Sequence, residues 1–198
     1  MDFPNSLKKL IQILKKLPGV GTKTAERFAF HMIEWEDNEL FLLSDHLKEL
    51  PLKVERCDSC GCIKNPEACQ LCDIDKRDAS IMCIVSSPKD IFSIEQTSTF
   101  RGMYHVLNNL LSPFEKKSID HCEVAKIKKR ITTNKTQEIL IALDSTIEGD
   151  ATSLFLKQEL EPICSKISRL AFGVPLNSSL EYIDEGTLAR ALINRQSF

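Results

Sequence analysis

Cys57-Asp-Ser-Cys60-Gly-Cys-Ile-Lys-Asn-Pro-Glu-Ala-Cys69-Gln-Leu-Cys72 divides the 198-residue chain into two unlike parts. Upstream, the apolar residues recur at helical spacing. Downstream, short β-branched runs alternate with helical stretches. The dividing segment carries two Cys-x2-Cys pairs with eight residues between them. Each pair puts two thiolates on one tight turn, and two such turns facing each other make a tetrahedral four-sulfur site. That donor set suits Zn2+ with no open coordination position, so Cys57, Cys60, Cys69 and Cys72 are expected to hold one structural zinc. Cys62 stands next to the first pair, but the spacing favours Cys60. Four buried free cysteines, or a redox pair, are the alternatives.

Working upstream, residues 6–16 predict an amphipathic helix with Leu7, Leu10, Ile11 and Leu14 on one face and Lys8, Lys9, Lys15 and Lys16 on the other, capped by Asn5 or Ser6. Pro18-Gly19 breaks it. A second helix is expected over residues 22–34, and a third over 38–50 that stops at Pro51. Between the first two lies Leu17-Pro-Gly19-Val-Gly21-Thr-Lys23-Thr-Ala-Glu-Arg27. Gly19 and Gly21 permit unusual dihedrals and close backbone approach. The N–H groups that open the second helix then face a phosphate oxygen, with Lys23 and Arg27 one turn apart beside them. This is a helix-hairpin-helix pattern, suited to binding DNA backbone without reading bases. A plain helix–helix turn with solvated charges is the alternative. Charge distribution supports contact with phosphate: residues 1–33 hold six basic and two acidic side chains, whereas residues 34–55 hold seven acids and two lysines.

Working downstream, strands are expected near residues 80–85, 103–107, 139–143 and 167–172, and helices near 88–96, 122–132, 151–164 and 187–193. The alternation implies an α/β domain with a mostly parallel sheet and helices on both faces. Asp144, Glu148 and Asp150 follow the 139–143 strand, where ligands of open α/β sheets collect. They could hold Mg2+ for phosphoryl chemistry, or start the next helix with Asp150 as its cap. Lys126, Lys128, Lys129 and Arg130 read as a solvated helix face. The four histidines show no ligand spacing. The chain as a whole carries a net charge of −2, no apolar run of transmembrane length and no signal-peptide pattern, so a cytoplasmic, nucleoid-associated protein without membrane contact is expected.

Taken in order, these features resemble the RecR family of bacterial recombination mediators. The resemblance rests on the Leu-Pro-Gly-Val-Gly-x-Lys-x-Ala-x-Arg turn and the four-cysteine motif. It extends to Cys83-Ile-Val-x-Ser-Pro-x-Asp90-Ile, Ile94-Glu-Gln-Thr97, Glu148-Gly149, Gly173-Val-Pro175 and Asp184-x2-Thr187. It implies a multidomain α+β protein. The units would be a helix-hairpin-helix DNA-binding unit over 1–55, a zinc finger over 56–78, a Toprim domain over 79–174 and an oligomerisation tail over 175–198. It also implies a non-enzymatic mediator that works with RecO and RecF to help load RecA on gapped DNA coated by single-strand-binding protein, and homo-oligomeric rings of dimers or tetramers.

Lys23 and Arg27, with Gly19 and Gly21, would contact DNA. Asp144, Glu148 and Asp150 would meet a partner such as RecO. The competing reading is a metal-dependent Toprim nuclease or topoisomerase-like enzyme. Catalytic Toprim domains place a Glu after the first strand and Asp-x-Asp after a later one. This chain has Ser86 and Asp144-Ser-Thr there, and its two tyrosines, Tyr104 and Tyr182, lack the context of a nucleophile. Asn177 stands where the family commonly has Gly.

Overall fold

The computed structural model describes residues 2–112, 120–171, 173–175 and 177–195. Phe172, the expected end of the last strand, and tail residues 196–198 lie outside them. The chain forms two compact units, Met1–Val54 and Glu55–Phe198.

In the first unit, helix α1 (Asn5–Leu14) packs on α2 (Thr22–Ile33) through Leu7, Ile11, Ala25 and Ala29. Ala25 and Ala29 are fully buried, and their small side chains let the two helices approach closely. The expected Asn5 or Ser6 cap does not form. The helix starts directly after Pro4, whose carbonyl accepts the Lys8 N–H at 3.0 Å. Helix α3 (Asp37–Lys53) opens with a capping box between Glu36 and Glu39. It runs through Pro51 instead of stopping there, and the Val54 N–H still reaches the Leu50 carbonyl at 3.1 Å. A proline withdraws only its own N–H, a small loss in a last turn. Helix α3 buries none of its residues, leaving Phe41, Leu42, Leu47, Leu50 and Leu52 exposed.

The second unit begins with a hairpin of β1 (Glu55–Arg56) and β2 (Ile63–Lys64), too short to register as strands in the sequence. Four parallel strands follow: β3 (Asp78–Val85), β4 (Gly102–Val106), β5 (Glu138–Ala142) and β6 (Lys166–Arg169), in the order β4-β3-β5-β6. Alternating side chains divide cleanly between the faces. Met82, Ile84, Ile139 and Ile141 meet α5 (His121–Asn134) and α6 (Ile147–Leu160) through Val124, Ile127, Ile131, Leu156 and Leu160. Cys83, Val85, Tyr104 and Ala142 meet Ile91 of α4 (Pro88–Gln96) and the buried cysteines 57, 60 and 62. The second face is therefore covered by one helix and by the cysteine segment. Each large aliphatic side chain fully buried here contributes about 1.5–3 kcal/mol.

Helix α6 starts four residues earlier than expected. Thr146, not Asp150, caps it, accepting the Gly149 N–H at 3.0 Å. It ends at Leu160, with Glu161 still in helical conformation as its cap and the Glu161 N–H on the Lys157 carbonyl at 2.9 Å, just before Pro162, which has no N–H to continue the ladder. Gly149 is required at this helix start: a Cβ there would overlap the carbonyl oxygen of Asp144. We expect Gly149→Ala to destabilise the protein by about 3 kcal/mol, read as a lower denaturant midpoint with an unchanged slope. A change below about 0.5 kcal/mol would show that the 144–149 turn yields freely.

The last helix, α7 (Glu185–Ile193), is capped by Asp184, which accepts the Thr187 N–H at 2.9 Å. Asn177 adopts φ +62, a left-handed conformation that Asn tolerates better than most residues.

Candidate metal centre and nucleic-acid interface

The first Cys-x2-Cys pair lies in a turn closed by the Gly61 N–H on the Cys57 carbonyl and by the Cys57 N–H on the Cys62 carbonyl, both 2.8 Å. Gly61 has φ +73, and a Cβ there would come within 3.0 Å of the Val106 carbonyl oxygen. The turn is stitched to the edge of the sheet, where the Val106 N–H donates to the Cys60 carbonyl at 2.8 Å. The second pair sits on a 3-10 turn, Gln70–Cys72, whose Cys72 N–H donates to the Cys69 carbonyl.

Folded this way, the four sulfurs of Cys57, Cys60, Cys69 and Cys72 lie within 4.8 Å of one another. Cys57 and Cys72 are 3.9 Å apart and Cys60 and Cys69 3.6 Å. A tetrahedral zinc with Zn–S near 2.3 Å separates its sulfurs by about 3.8 Å, so the cluster fits a four-coordinate thiolate metal. Among the described residues this is the one group of three or more His, Cys, Asp or Glu arranged to share an ion. Cys62 is buried but outside the group. The neighbouring Cys60 thiol first, and then the positive charge of Arg130, hold the Cys72 thiol below the usual thiol pKa range.

At the helix-hairpin-helix, Gly19 has φ +78 and Gly21 is the extended residue before α2. A Cβ on either would meet nothing within 4 Å, so the backbone of the turn is bare to its surroundings. No side chain caps α2. The Ala25 N–H bonds back to the Gly21 carbonyl at 2.9 Å, leaving the preceding N–H groups of the first turn to point out along the helix axis. Lys23 and Arg27 are exposed beside them. Helix start, bare turn and two cations together could seat phosphate oxygens.

The carboxyl ends of β3 and β5, neighbours where the strand order reverses, carry Ser86 and Asp144. The Ser86 hydroxyl donates to Asp90 at 3.0 Å, and Asp144 is exposed. Glu148 and Asp150 lie in the first turn of α6, where negative charge complements the helix dipole. Asp150 is engaged within the chain, by Arg169 at 2.5 Å and by Arg190 of α7 at 3.0 Å, and those contacts hold its carboxyl below the usual range.

The basic run on α5 divides. Lys128 pairs with Glu159 at 2.7 Å, while Arg130 turns inward to Tyr104, His105 and Cys72. Nothing local in the sequence distinguishes Arg130 from its neighbours, because Cys72 lies 58 residues away.

Three family models match the chain: a RecR helix-hairpin-helix over residues 7–50, a Toprim domain over 80–171, and a RecR C-terminal segment over 173–196. Recombination protein RecR of Protochlamydia amoebophila is 52% identical over 198 residues, covering all of both chains. The proteins of the same name from Chlamydia felis and Chlamydia caviae are 48% and 47% identical over 200 residues, again over the full length of each.

Proposed function

The chain belongs to the RecR family, and on that premise we propose that it is a recombination mediator of DNA repair that grips DNA by its backbone and catalyses no reaction itself. The observation that carries this reading is the uncapped start of α2 behind the bare Gly19-Val20-Gly21 turn, with Lys23 and Arg27 exposed beside it. Those groups offer phosphate contacts and no surface for reading bases. Zn2+ at Cys57, Cys60, Cys69 and Cys72 fastens the turn that covers the edge of the sheet. The chain works with RecO and RecF in the cytoplasm, at the nucleoid, to load RecA on gapped DNA coated by single-strand-binding protein. No helix among the described residues is long and apolar enough to cross a membrane. The apolar side chains left exposed on α3 suit a homo-oligomer, a ring of two or four chains.

Against phosphodiester chemistry stands Ser86 at the end of β3. Metal-assisted phosphoryl transfer requires carboxylates converging from separate strand ends. Asp150 is occupied by two arginines, which leaves Asp144 and Glu148 as the acidic groups for a basic partner surface such as that of RecO. The test is Asp144→Ala with Glu148→Ala, measured for RecO binding, DNA binding and nicking with Mg2+. A drop of about tenfold in RecO affinity at unchanged DNA affinity is expected. Unchanged RecO affinity would reduce the acids to helix-start charges, and Mg2+-dependent nicking by the parent protein would refute the non-enzymatic reading.

A further inference from the structure

We propose that Arg130 is a positioning residue of the metal centre, its guanidinium held against Cys72 Sγ by the edge strand of the sheet. This rests on the reading of the four cysteines as a metal site. One guanidinium nitrogen donates to the Tyr104 carbonyl at 2.8 Å and meets His105 Nδ1 at 3.0 Å. The other lies 3.8 Å from Cys72 Sγ, within reach of an N–H···S hydrogen bond. His105 is 4% exposed, and burial first, then the charges of Arg130 and Lys126, push it down to about 3. It is therefore neutral and its Nδ1 accepts from the arginine. Both anchors belong to β4, the strand that also donates from Val106 to the Cys60 carbonyl. The strand thus touches the centre twice, once through a ligand's backbone and once through the arginine.

The chemistry explains why an arginine stands there. Four thiolates on a divalent ion leave two negative charges in a half-buried setting. A positive N–H donor draws charge from the sulfur, which slows its protonation and the loss of the metal. Arginine stays charged under all physiological conditions, and its fork reaches three acceptors at once, which an ammonium cannot do in a fixed geometry.

A second reading of the same place is an anion site, since Lys126, Lys129 and Arg130 line a pocket of about 350 Å³ with Asp58, Ser59 and Cys72. The charge balance disfavours it. The pocket borders the doubly negative metal–thiolate centre and the Asp58 carboxylate, so the three cations are offset before any anion enters. The remaining alternative is that Arg130 only pins the backbone of β4.

The test uses the full-length protein loaded with zinc or with cobalt, as Arg130→Gln and Arg130→Lys. Transfer of zinc to a competing chelator should be roughly 10–100 times faster in Arg130→Gln, the range seen when a group that orients a ligand is lost. Arg130→Lys should recover part of that retention by charge alone. In the cobalt protein, the sulfur-to-metal charge-transfer band of Arg130→Gln should move to longer wavelength, because a thiolate without a charged donor gives up its electron more easily. A strand pin would lower the unfolding temperature but leave the band and the metal-transfer rate where they are, and that result overturns the proposal. If the glutamine variant fails to fold, the lysine variant decides by the same two readouts. A parent protein that binds neither metal would fail the metal reading itself, and the Arg130 assignment with it.

Discussion

Cys57→Ser combined with Cys72→Ser is expected to abolish stoichiometric zinc and to lower the unfolding temperature by roughly 10–20 °C, corresponding to about 5 kcal/mol in a protein of this size. The size of the effect follows from where the centre sits. The turn that carries Cys57, Cys60 and Cys62 is part of the core formed by Cys83, Val85, Ile91 and Tyr104. It also supplies the backbone acceptor for Val106 at the sheet edge. Without the ion, the buried Cys57 and Cys60 would lose their cross-link to Cys69 and Cys72, and the edge of the sheet would lose its cover together. Elemental analysis and thermal unfolding of parent and variant check this. One zinc per chain in the variant, or an unfolding temperature equal to the parent's, would refute it. Removing Cys62 alone should leave the metal content unchanged, since its sulfur is outside the group.

Lys23→Ala with Arg27→Ala should weaken DNA binding by roughly 10–100-fold at moderate salt and lower the slope of log affinity against log salt by about 1–2. The loss should be similar on unrelated sequences, because a bare turn and two exposed cations would meet only the sugar–phosphate backbone. The fold of the first unit should survive, since its core is Leu7, Ile11, Ala25 and Ala29 and neither charged residue enters it. Titrations on two unrelated duplexes and one single strand, at three salt concentrations, measure both quantities. An unchanged slope, or a loss confined to one sequence, would contradict the backbone cradle.

The parts of the molecule governed by local chemistry were legible in the sequence. Two Cys-x2-Cys turns can bring four sulfurs together wherever the chain runs, and the observed cluster has the expected members. The continuous apolar runs at 80–85 and 139–143 appear as the two central strands, buried on both faces. Interactions across long stretches of chain were not legible. Asp150 looked free to cap a helix or to bind a metal, yet it answers to Arg169 and Arg190, 19 and 40 residues on. Arg130 looked like one of four solvated cations and instead turns inward. Helix ends were misplaced where a weak signal competed with a strong one. The helix expected over 151–164 runs instead over Ile147–Leu160 and stops before Pro162, which has no N–H to continue the ladder.

RecA loading on gapped DNA coated by single-strand-binding protein is the measurement closest to the proposed role. With RecO present, the parent protein should shorten the lag before RecA filaments form, and the Lys23→Ala, Arg27→Ala variant should restore most of that lag. A lag unaffected by the parent protein, accompanied by Mg2+-dependent cleavage of the same DNA, would contradict the mediator reading and favour a catalytic Toprim domain.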